Sequence, residues 1–309
     1  MDGKAPHLRQ AFSRFGLSAV VILLSLGLGE IVMRCVYTPP PLYTERNTLY
    51  RYDPELGWFP IPLLQGTCRN VRVRHNAMGF RDREHPDESK KALVVLGDSF
   101  VYGYDVEQNQ VFTHLLQERL PEWNVYNLGV SGYGTDQELL LLQKYSARLN
   151  PKIVLLLFNG NDWQDNGTNK RYGYFKPFYT FENNHLQLQG VPVPKCLLYY
   201  PAAYPRLFKS VLVIRLAELI WRPIARRWPV VRVADPTFPL LLAMRDAVES
   251  RHARFLLGFT DMIPVERRFC DEERLACLDL RSSHVTDTGH WDPRGHQNAA
   301  DKIFHFLFL

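Results

Sequence analysis

Four short polar motifs contain the residue types that nucleophilic catalysis requires, and each lies beside an apolar segment or a predicted helix. They are 97–100 (GDSF), 127–134 (NLGVSGYG), 159–162 (NGND) and 287–290 (DTGH). A serine hydroxyl attacks a carbonyl carbon when a histidine takes up its proton, and an aspartate can hold that histidine in the required tautomer. The set therefore contains a candidate nucleophile, Ser99, and a candidate base, His290.

The position of each motif suggests its contribution. Ser99 follows the apolar segment ALVVL, and a serine at a strand-to-helix turn exposes its hydroxyl at the carboxyl edge of a parallel sheet. Glycines in the second motif allow a backbone N–H to point at an oxyanion. Asp287 lies three residues before His290 and can accept the imidazole N–H. Each motif alone is also typical of a cap or a turn, so it is the combination that favours catalysis.

The elements that must position these motifs alternate between short apolar runs and helical patterns from residue 92 onward, which is typical of a parallel α/β sheet. We predict strands at 92–96, 125–127, 153–158, 254–259 and, more weakly, 275–280. We predict helices at about 109–120, 136–149 and 236–251, and a last helix that begins at Asp292-Pro293. The motifs thus fall where the strands end.

In their order, spacing and strand contexts, the motifs resemble those of the SGNH (GDSL-type) hydrolase family over roughly residues 92–309. The resemblance implies that Ser99 is the nucleophile and that His290 and Asp287 complete a triad. It implies an oxyanion hole formed by the N–H groups of Ser99 and Gly132 and the amide of Asn161. The sequence departs from the family at Asn159, where a glycine is usual.

The resemblance also implies the fold, a three-layer α/β/α flavodoxin-like parallel sheet, and a reaction that needs neither cofactor nor metal. Tyr133 and Trp163 are candidate substrate-binding residues, although aromatic packing explains each equally well. His296 is the rival of His290, but His290 is preferred because it lies in a loop and has an aspartate partner.

The N-terminal segment contains an apolar run, Phe15 to Met33, that is interrupted only by Glu30. As a helix it spans roughly 28 Å, close to the thickness of the hydrocarbon core of a bilayer. Lys4, Arg9 and Arg14 precede it, which predicts a cytoplasmic N-terminus and an extracytoplasmic catalytic domain. A membrane anchor is preferred; a cleaved signal peptide and a buried core helix are the alternatives.

We predict three regions: a cytoplasmic stub and transmembrane anchor (1–36), an irregular β-rich lead-in (37–90) and the catalytic domain (91–309). An insertion at about 165–235 interrupts the catalytic domain. It is predicted to form a hairpin that turns near Asn183-Asn184 and an apolar helix over 204–228. The helix is interpreted as extra core packed on the domain, with a lid or a membrane-surface element as alternatives.

Composition excludes several classes of protein. Hydrophobic residues make up 46% and charged residues 22%, which are ordinary globular values. The net charge of +5 is spread along the chain, so nucleic-acid binding is not expected. Five cysteines without metal-ligand spacing argue against a zinc site; Cys270 and Cys277 could form a disulfide.

The leading functional hypothesis is a membrane-anchored, extracytoplasmic serine esterase that hydrolyses carboxylic esters of carbohydrate or lipid, O-acetyl groups among them. The first alternative is an O-acyltransferase that acts on an extracellular polysaccharide with the same triad. The second is a non-enzymatic, membrane-anchored glycan-binding or assembly protein. The lead-in segments 56–58 (LGW) and 76–82 (NAMGFRD) resemble those of a membrane-anchored bacterial branch of the family. This resemblance implies polysaccharide-biosynthesis proteins as partners.

Overall fold

The computed structural model describes residues 5–39, 48–85 and 87–308. Lys4 and Leu309, which the predictions above use, lie outside the described residues. The chain divides into two compact units. One combines Met1–Thr44 with Leu197–Trp228, and the other combines Glu45–Cys196 with Pro229–Leu309. We call them the anchor unit and the catalytic unit.

The strands are β1 Tyr50–Asp53, β2 Gly57–Pro60, β3 Gln65–Cys68, β4 Val71–Arg74, β5 Lys91–Gly97, β6 Trp123–Asn127, β7 Pro151–Phe158, β8 Lys170–Arg171, β9 Tyr174–Phe175, β10 Phe178–Glu182, β11 His185–Gln189, β12 Arg254–Phe259 and β13 Cys277–Asp279. The helices are α1 Ala5–Val36, α2 Ser99–Tyr102, α3 Phe112–Arg119, α4 Thr135–Leu149, α5 Asp162–Asp165, α6 Tyr200–Ala203, α7 Val211–Ala225, α8 Thr237–Glu249, α9 Pro264–Glu272 and α10 Pro293–Phe308.

A five-stranded parallel sheet in the order β13-β12-β7-β5-β6 forms the centre of the catalytic unit. Numbered within the sheet alone, this order is 2-1-3-4-5 read from β6, which is the flavodoxin-like order. The central strands β5 and β7 are apolar and buried along nearly their whole length, as expected for strands covered on both faces. The predicted fold class is confirmed.

Helices cover both faces of the sheet and complete three layers. Helices α3 and α10 pack together on one face, and α4 and α8 pack together on the other. The core between the sheet and the α3–α10 layer includes Leu93, Leu155, Phe112 and Ile303. The carboxyl ends of all five strands therefore meet at one edge of a covered sheet, where the loops that follow them are free to form a site.

The lead-in packs against the loops of the catalytic edge. It contains two antiparallel hairpins, β1–β2 and β3–β4. The buried Arg81 donates to the carbonyl of Gly103 and, at 2.7 Å, to that of Val106, which lie just after α2. The indole of Trp58 donates to the carbonyl of Ser131 at 3.2 Å. The β-rich lead-in thus helps to hold the loops that follow β5 and β6.

The hairpin predicted within the insertion is formed by β10 and β11. Its two turn residues, Asn183 and Asn184, have φ of 50° and 63°, the left-handed pair that a two-residue hairpin turn requires and that asparagine tolerates. The hairpin belongs to the catalytic unit, whereas the helical part of the insertion, Leu197–Trp228, belongs to the anchor unit. The insertion is therefore split between the two units.

Helix α1 includes, over Gly16–Val36, a stretch long and apolar enough to cross a membrane, either as an anchor or as a signal sequence. None of its most apolar window is buried by the rest of the protein. The alternative of a buried core helix is therefore wrong. From residue 16 to 36 only Gly29, Glu30 and Met33 are partly buried, and they lie on one face of the helix.

That face of α1 contacts α7 within the anchor unit. The Glu30 carboxylate accepts hydrogen bonds from the Ser210 hydroxyl at 2.6 Å and from the N–H groups of Val211 and Leu212 at 3.1 and 2.9 Å. These groups lie at the N-terminus of α7, where backbone N–H groups lack partners within the helix. The contact gives the one acidic residue of the apolar run a structural purpose.

Cys270 in α9 and Cys277 in β13 are joined by a disulfide. The disulfide closes the loop between α9 and β13, the edge strand that follows α9 in the chain.

Candidate active site

The nucleophile turn lies between β5 and α2. Ser99 is the first residue of α2, and the preceding Asp98 caps the helix by accepting the N–H of Phe100 at 2.9 Å. Gly97 lies so close to Val101 that a Cβ at position 97 would come within 2.4 Å of a Val101 methyl group. The absence of a side chain at Gly97 therefore allows the sharp turn that presents Ser99 at the sheet edge.

His290 contacts Ser99 directly. Its Nε2 lies 2.7 Å from Ser99 Oγ, although the two residues are far apart in the chain. The imidazole packs against the rings of Phe100 and Tyr104, with centroids 5.1 and 4.9 Å away. Burial lowers the pKa of His290 below its usual value, which favours the neutral ring that can accept a proton from the serine.

The other ring nitrogen of His290 does not face the carboxylate predicted for it. Nδ1 lies 2.8 Å from Thr288 Oγ1 and 3.6 Å from Asp105 Oδ2. The Asp287 carboxylate points instead to Arg69, with a distance of 3.2 Å, and its side chain is 80% exposed. In this structure the Asp287 side chain therefore lies in solvent against Arg69 and not at His290 Nδ1, where the spacing of the motif predicts it.

His296 lies in the hydrophobic core. It is buried, and its Nδ1 accepts the N–H of Phe112 at 3.3 Å. Burial lowers the pKa of His296 to about 3, because a charged imidazole is costly in apolar surroundings. The structure therefore places the rival histidine away from solvent and among side chains that fill the core.

The two backbone N–H groups predicted to hold the oxyanion are those of Ser99 and Gly132. Among the described contacts, neither the Ser99 nor the Gly132 N–H donates to a protein acceptor. The loop that holds Gly132 lies against the nucleophile turn, since a Cβ at Gly129 would be 2.4 Å from Tyr102 N. The glycine at 129 thus permits the close approach that the predicted oxyanion hole needs.

Asn161 lies in the loop that follows β7, the strand next to β5. Its Nδ2 donates to Asp165 Oδ2 at 3.0 Å, which orients the amide and leaves its second N–H for another acceptor. The same loop is tied to the nucleophile turn by Asn159, whose Nδ2 donates to Asp98 Oδ2 at 3.1 Å. Asn159, the departure from the family pattern, therefore joins the third motif to the first.

Buried carboxyl groups lie behind these loops. Glu138 in α4 and Asp162 in α5 are both fully buried. Burial, followed by the charges of neighbouring carboxylates including Asp98, raises the pKa of each well above its usual value. Each of the two therefore favours its protonated form more than an exposed carboxyl group does. Sequence reasoning missed this cluster, because nothing in the local pattern shows that the acidic residues converge.

The two candidate substrate-binding residues have different surroundings. Tyr133 is fully buried, and its hydroxyl donates to the carbonyl of Trp58. Its assignment to a substrate pocket is therefore corrected to a core position. Trp163 lines a cleft of about 610 Å³ together with Thr168, Lys170, Arg171, Arg232 and Asp235.

Within the described part of the chain, no group of three or more His, Cys, Asp or Glu side chains is arranged to hold a metal ion.

A serine and a histidine in hydrogen-bond contact at the carboxyl edge of a flavodoxin-like sheet define a serine hydrolase that acts on esters. The model of the GDSL-like lipase/acylhydrolase family matches residues 95–306, more than half of the chain. The protein belongs to this family. A comparison with curated proteins finds no match.

Solved structures with similar folds include several hydrolases. TesA is 15% identical with a TM-score of 0.43, and the match covers 71% of this chain and 98% of that chain. The psychrotrophic esterase EstA from Pseudoalteromonas sp. is 11% identical with a TM-score of 0.41, covering 71% and 97%. The acetyl xylan esterase AlAXEase is 13% identical with a TM-score of 0.37, covering 69% and 98%.

Proposed function

We propose that the protein is a membrane-anchored esterase that removes O-acyl groups from a carbohydrate through an acyl-serine intermediate. The observation that carries the proposal is the 2.7 Å contact between Ser99 Oγ and His290 Nε2. Ser99 Oγ attacks the ester carbonyl while its proton passes to His290 Nε2, and His290 returns that proton to the departing alkoxide. Water then attacks the acyl-serine, with His290 again taking and returning a proton.

The tetrahedral intermediate of each step carries an oxyanion that the site must stabilise. The N–H groups of Ser99 and Gly132 and the free amide N–H of Asn161 are the proposed donors. They lie on loops that follow three adjacent strands of one sheet. Since such donors are fixed before the reaction, they stabilise developing charge without reorganisation.

The cleft lined by Trp163, which lies two residues after Asn161 in the chain, supports a carbohydrate as the alcohol part of the substrate. It begins at Trp163, and its other lining residues are largely polar or charged. An indole offers a flat apolar surface, whereas the polar side chains can bind hydroxyl groups. Its volume of about 610 Å³ is within the usual range for small-molecule sites.

The test is labelling with a fluorophosphonate probe, which reacts with activated serines, followed by product analysis with an O-acetylated oligosaccharide. We expect the label on Ser99 and free acetate as the product. Acyl transfer would use the same two residues but would yield an acetylated acceptor glycan and little acetate. No labelling and no turnover would favour the non-enzymatic alternative.

Asn161→Ala is expected to lower kcat by about 10²–10³-fold, because one oxyanion donor is removed while substrate binding is retained. Steady-state kinetics with a p-nitrophenyl ester measures the effect. Asn169→Ala is the matched control, since Asn169 lies in the catalytic unit and bonds the chain at Pro229 and Val231. A change in KM alone would make Asn161 a substrate-binding residue instead of a donor.

We further propose that α1 is retained as a membrane anchor with the catalytic unit on the extracytoplasmic side. The stretch 16–28 is exposed along its whole length, as a lipid-facing helix would be. Its outer end is bound to α7 through Glu30 and through the Tyr37 hydroxyl, which donates to Glu218 at 2.6 Å. Cleavage after Gly29 would leave a free N-terminus at Glu30, directly at its contacts with Ser210, Val211 and Leu212.

Retention predicts that the protein stays in the membrane fraction after an alkaline carbonate wash and that its intact mass includes residues 16–28. A reporter fused after Leu309 is expected to be active only outside the cytoplasm. An N-terminus at Glu30 in the purified protein would establish cleavage after Gly29 and contradict the anchor.

A further inference from the structure

A second cleft of the catalytic unit, with a volume of about 630 Å³, lies along the lead-in hairpin β3–β4. Three arginines line it: Arg72 and Arg74 from β4, and Arg83 from the chain that leads to β5. We call it the arginine cleft. In the part of the chain that the structure describes, none of these three guanidinium groups forms an ion pair. Their charges are therefore available to an anionic ligand.

The other titratable groups of the arginine cleft do not neutralise it. Glu107 is the carboxylate among the lining residues, and its Oε1 accepts the backbone N–H of Arg72 at 3.3 Å. His114 Nδ1 lies 3.0 Å from Arg83 Nη2 and accepts its proton, since a guanidinium only donates. Burial, followed by the charge of Arg83, lowers the pKa of His114, which favours its neutral ring. Three positive charges therefore surround the cleft with one negative charge among them.

The two faces of the hairpin β3–β4 differ in composition. Arg72 and Arg74 are two residues apart on β4, so their side chains leave the same face. Thr67 and Gln65 lie opposite them on β3. These four residues are exposed, whereas Val73, between the two arginines, is buried. The exposed face of the hairpin therefore presents guanidinium, amide and hydroxyl groups together.

The turn of the same hairpin reaches the catalytic edge. Arg69 lies in this turn, and its Nη2 is 3.2 Å from the carboxylate of Asp287, which belongs to the same loop as His290. At about 3.3 Å per residue, the hairpin extends from Arg69 to Arg74 over roughly 16 Å. A chain molecule held in the arginine cleft can therefore follow the hairpin toward the loop that carries the catalytic histidine.

The side chains of the arginine cleft indicate the chemistry of its ligand. A planar guanidinium donates two parallel hydrogen bonds to a carboxylate or a phosphate. The amides of Gln65, Gln108 and Asn109 line the same cleft and can donate to and accept from hydroxyl groups. Acidic groups and hydroxyl groups that alternate along one chain are characteristic of an acidic glycan.

We propose that the arginine cleft is a subsite for the acidic groups of the substrate, so that the preferred substrate is an O-acylated acidic glycan. The inference rests on the proposed function, the removal of O-acyl groups from a carbohydrate. The continuity of the cleft with the hairpin turn beside His290 favours a substrate chain over a lipid headgroup, because a headgroup needs no path to the catalytic edge.

The binding test uses the full-length protein in nanodiscs of neutral phospholipid and measures affinity by calorimetry, without any turnover. Hexagalacturonate, which has a carboxylate on each sugar, is expected to bind at least about tenfold more tightly than the neutral maltohexaose. Sodium chloride at about 0.5 M should remove most of this preference by screening the charges. Equal affinity for the two oligosaccharides at low salt would overturn the proposal.

Arg72→Gln/Arg74→Gln is expected to weaken hexagalacturonate binding by about tenfold, because two charge-assisted contacts are lost. Arg267→Gln/Arg268→Gln is the matched control, since it removes two exposed arginines of α9 in the same unit, and its affinity should stay within about twofold of the wild type. Circular dichroism shows whether both variants are folded. An equal loss of affinity in the two variants would assign the effect to net charge and overturn the subsite.

Kinetics with O-acetylated oligogalacturonate separates this inference from the function on which it rests. Arg72→Gln/Arg74→Gln should raise KM by about tenfold with a much smaller change in kcat. A wild-type protein that binds hexagalacturonate but releases no acetate from any glycan would contradict the esterase function and support the anion site. A defect of the variant that appears only in nanodiscs with anionic phospholipid would instead identify a lipid-headgroup site and overturn the proposal.

Discussion

Replacing Ser99 or His290 by alanine is expected to lower kcat for a p-nitrophenyl ester by about 10⁴-fold or more. The two side chains act as one unit through the 2.7 Å contact between Oγ and Nε2. Without the imidazole the serine keeps its proton and is a poor nucleophile, and without the serine no acyl-enzyme forms. The double variant should therefore be hardly less active than either single variant.

Steady-state kinetics measures the loss of turnover, and fluorophosphonate labelling measures the loss of the reactive serine. Ser250→Ala and His305→Ala are matched controls, because both residues are exposed in the catalytic unit, and both variants should keep wild-type rates and labelling. Turnover by Ser99→Ala within tenfold of the wild type would contradict the assignment of the nucleophile. Additive losses in the double variant would show that the two residues act independently.

The parallel sheet and the position of Ser99 at its edge could be predicted from the sequence. The apolar runs that become β5, β7 and β12 are short and are bounded by polar residues and turns, a pattern that depends only on local composition. The hairpin turn at Asn183-Asn184 was predictable for the same reason, because the left-handed conformation is a property of the residue itself. Structural features that depend on one short segment of the chain can thus be predicted from the sequence alone.

The partner of His290 could not be predicted in this way. Spacing along the chain places Asp287 near His290, but it does not determine where either side chain points. In the structure the carboxylate of Asp105, far away in the sequence, lies 3.6 Å from His290 Nδ1, and the Thr288 hydroxyl contacts both groups. The tyrosine at 133 illustrates the same limit, since its position in a functional motif gave no sign that its ring fills the core.

The placement of α7 on α1 and the burial of Lys176 also depend on distant partners. Glu30 and Ser210 carry no local signal that they meet. Lys176 lies in an aromatic segment next to the hairpin, and its burial requires the carboxylate of Asp136, which comes from the first turn of α4. Contacts of this kind follow from the packing of whole elements and therefore need the structure.

Replacing Lys176 by methionine is expected to lower the free energy of unfolding of the catalytic unit by about 3–5 kcal/mol. The ammonium group and the Asp136 carboxylate form an ion pair in which neither side chain is exposed. Lys176 Nζ also donates to the carbonyls of Thr168 and Pro177 at 3.2 and 3.1 Å. Burial raises the pKa of Asp136 and Lys176 opposes that rise, so the variant leaves an uncompensated acid in the core.

Urea unfolding, followed by tryptophan fluorescence, measures the loss, and two further variants show whether the buried charge causes it. Asp136→Asn/Lys176→Met removes both charges and should be more stable than Lys176→Met alone, since interacting sites are not additive. Lys144→Met breaks an exposed pair with Glu55 in the same unit, in which the side chains are 42% and 59% exposed, and should cost at most about 1 kcal/mol. The contrary result is that Lys176→Met lowers the free energy of unfolding no more than Lys144→Met does. That result would show that the buried pair does not stabilise the junction between α4 and the chain that leads into the hairpin. Desolvation of the two charges would then offset their attraction.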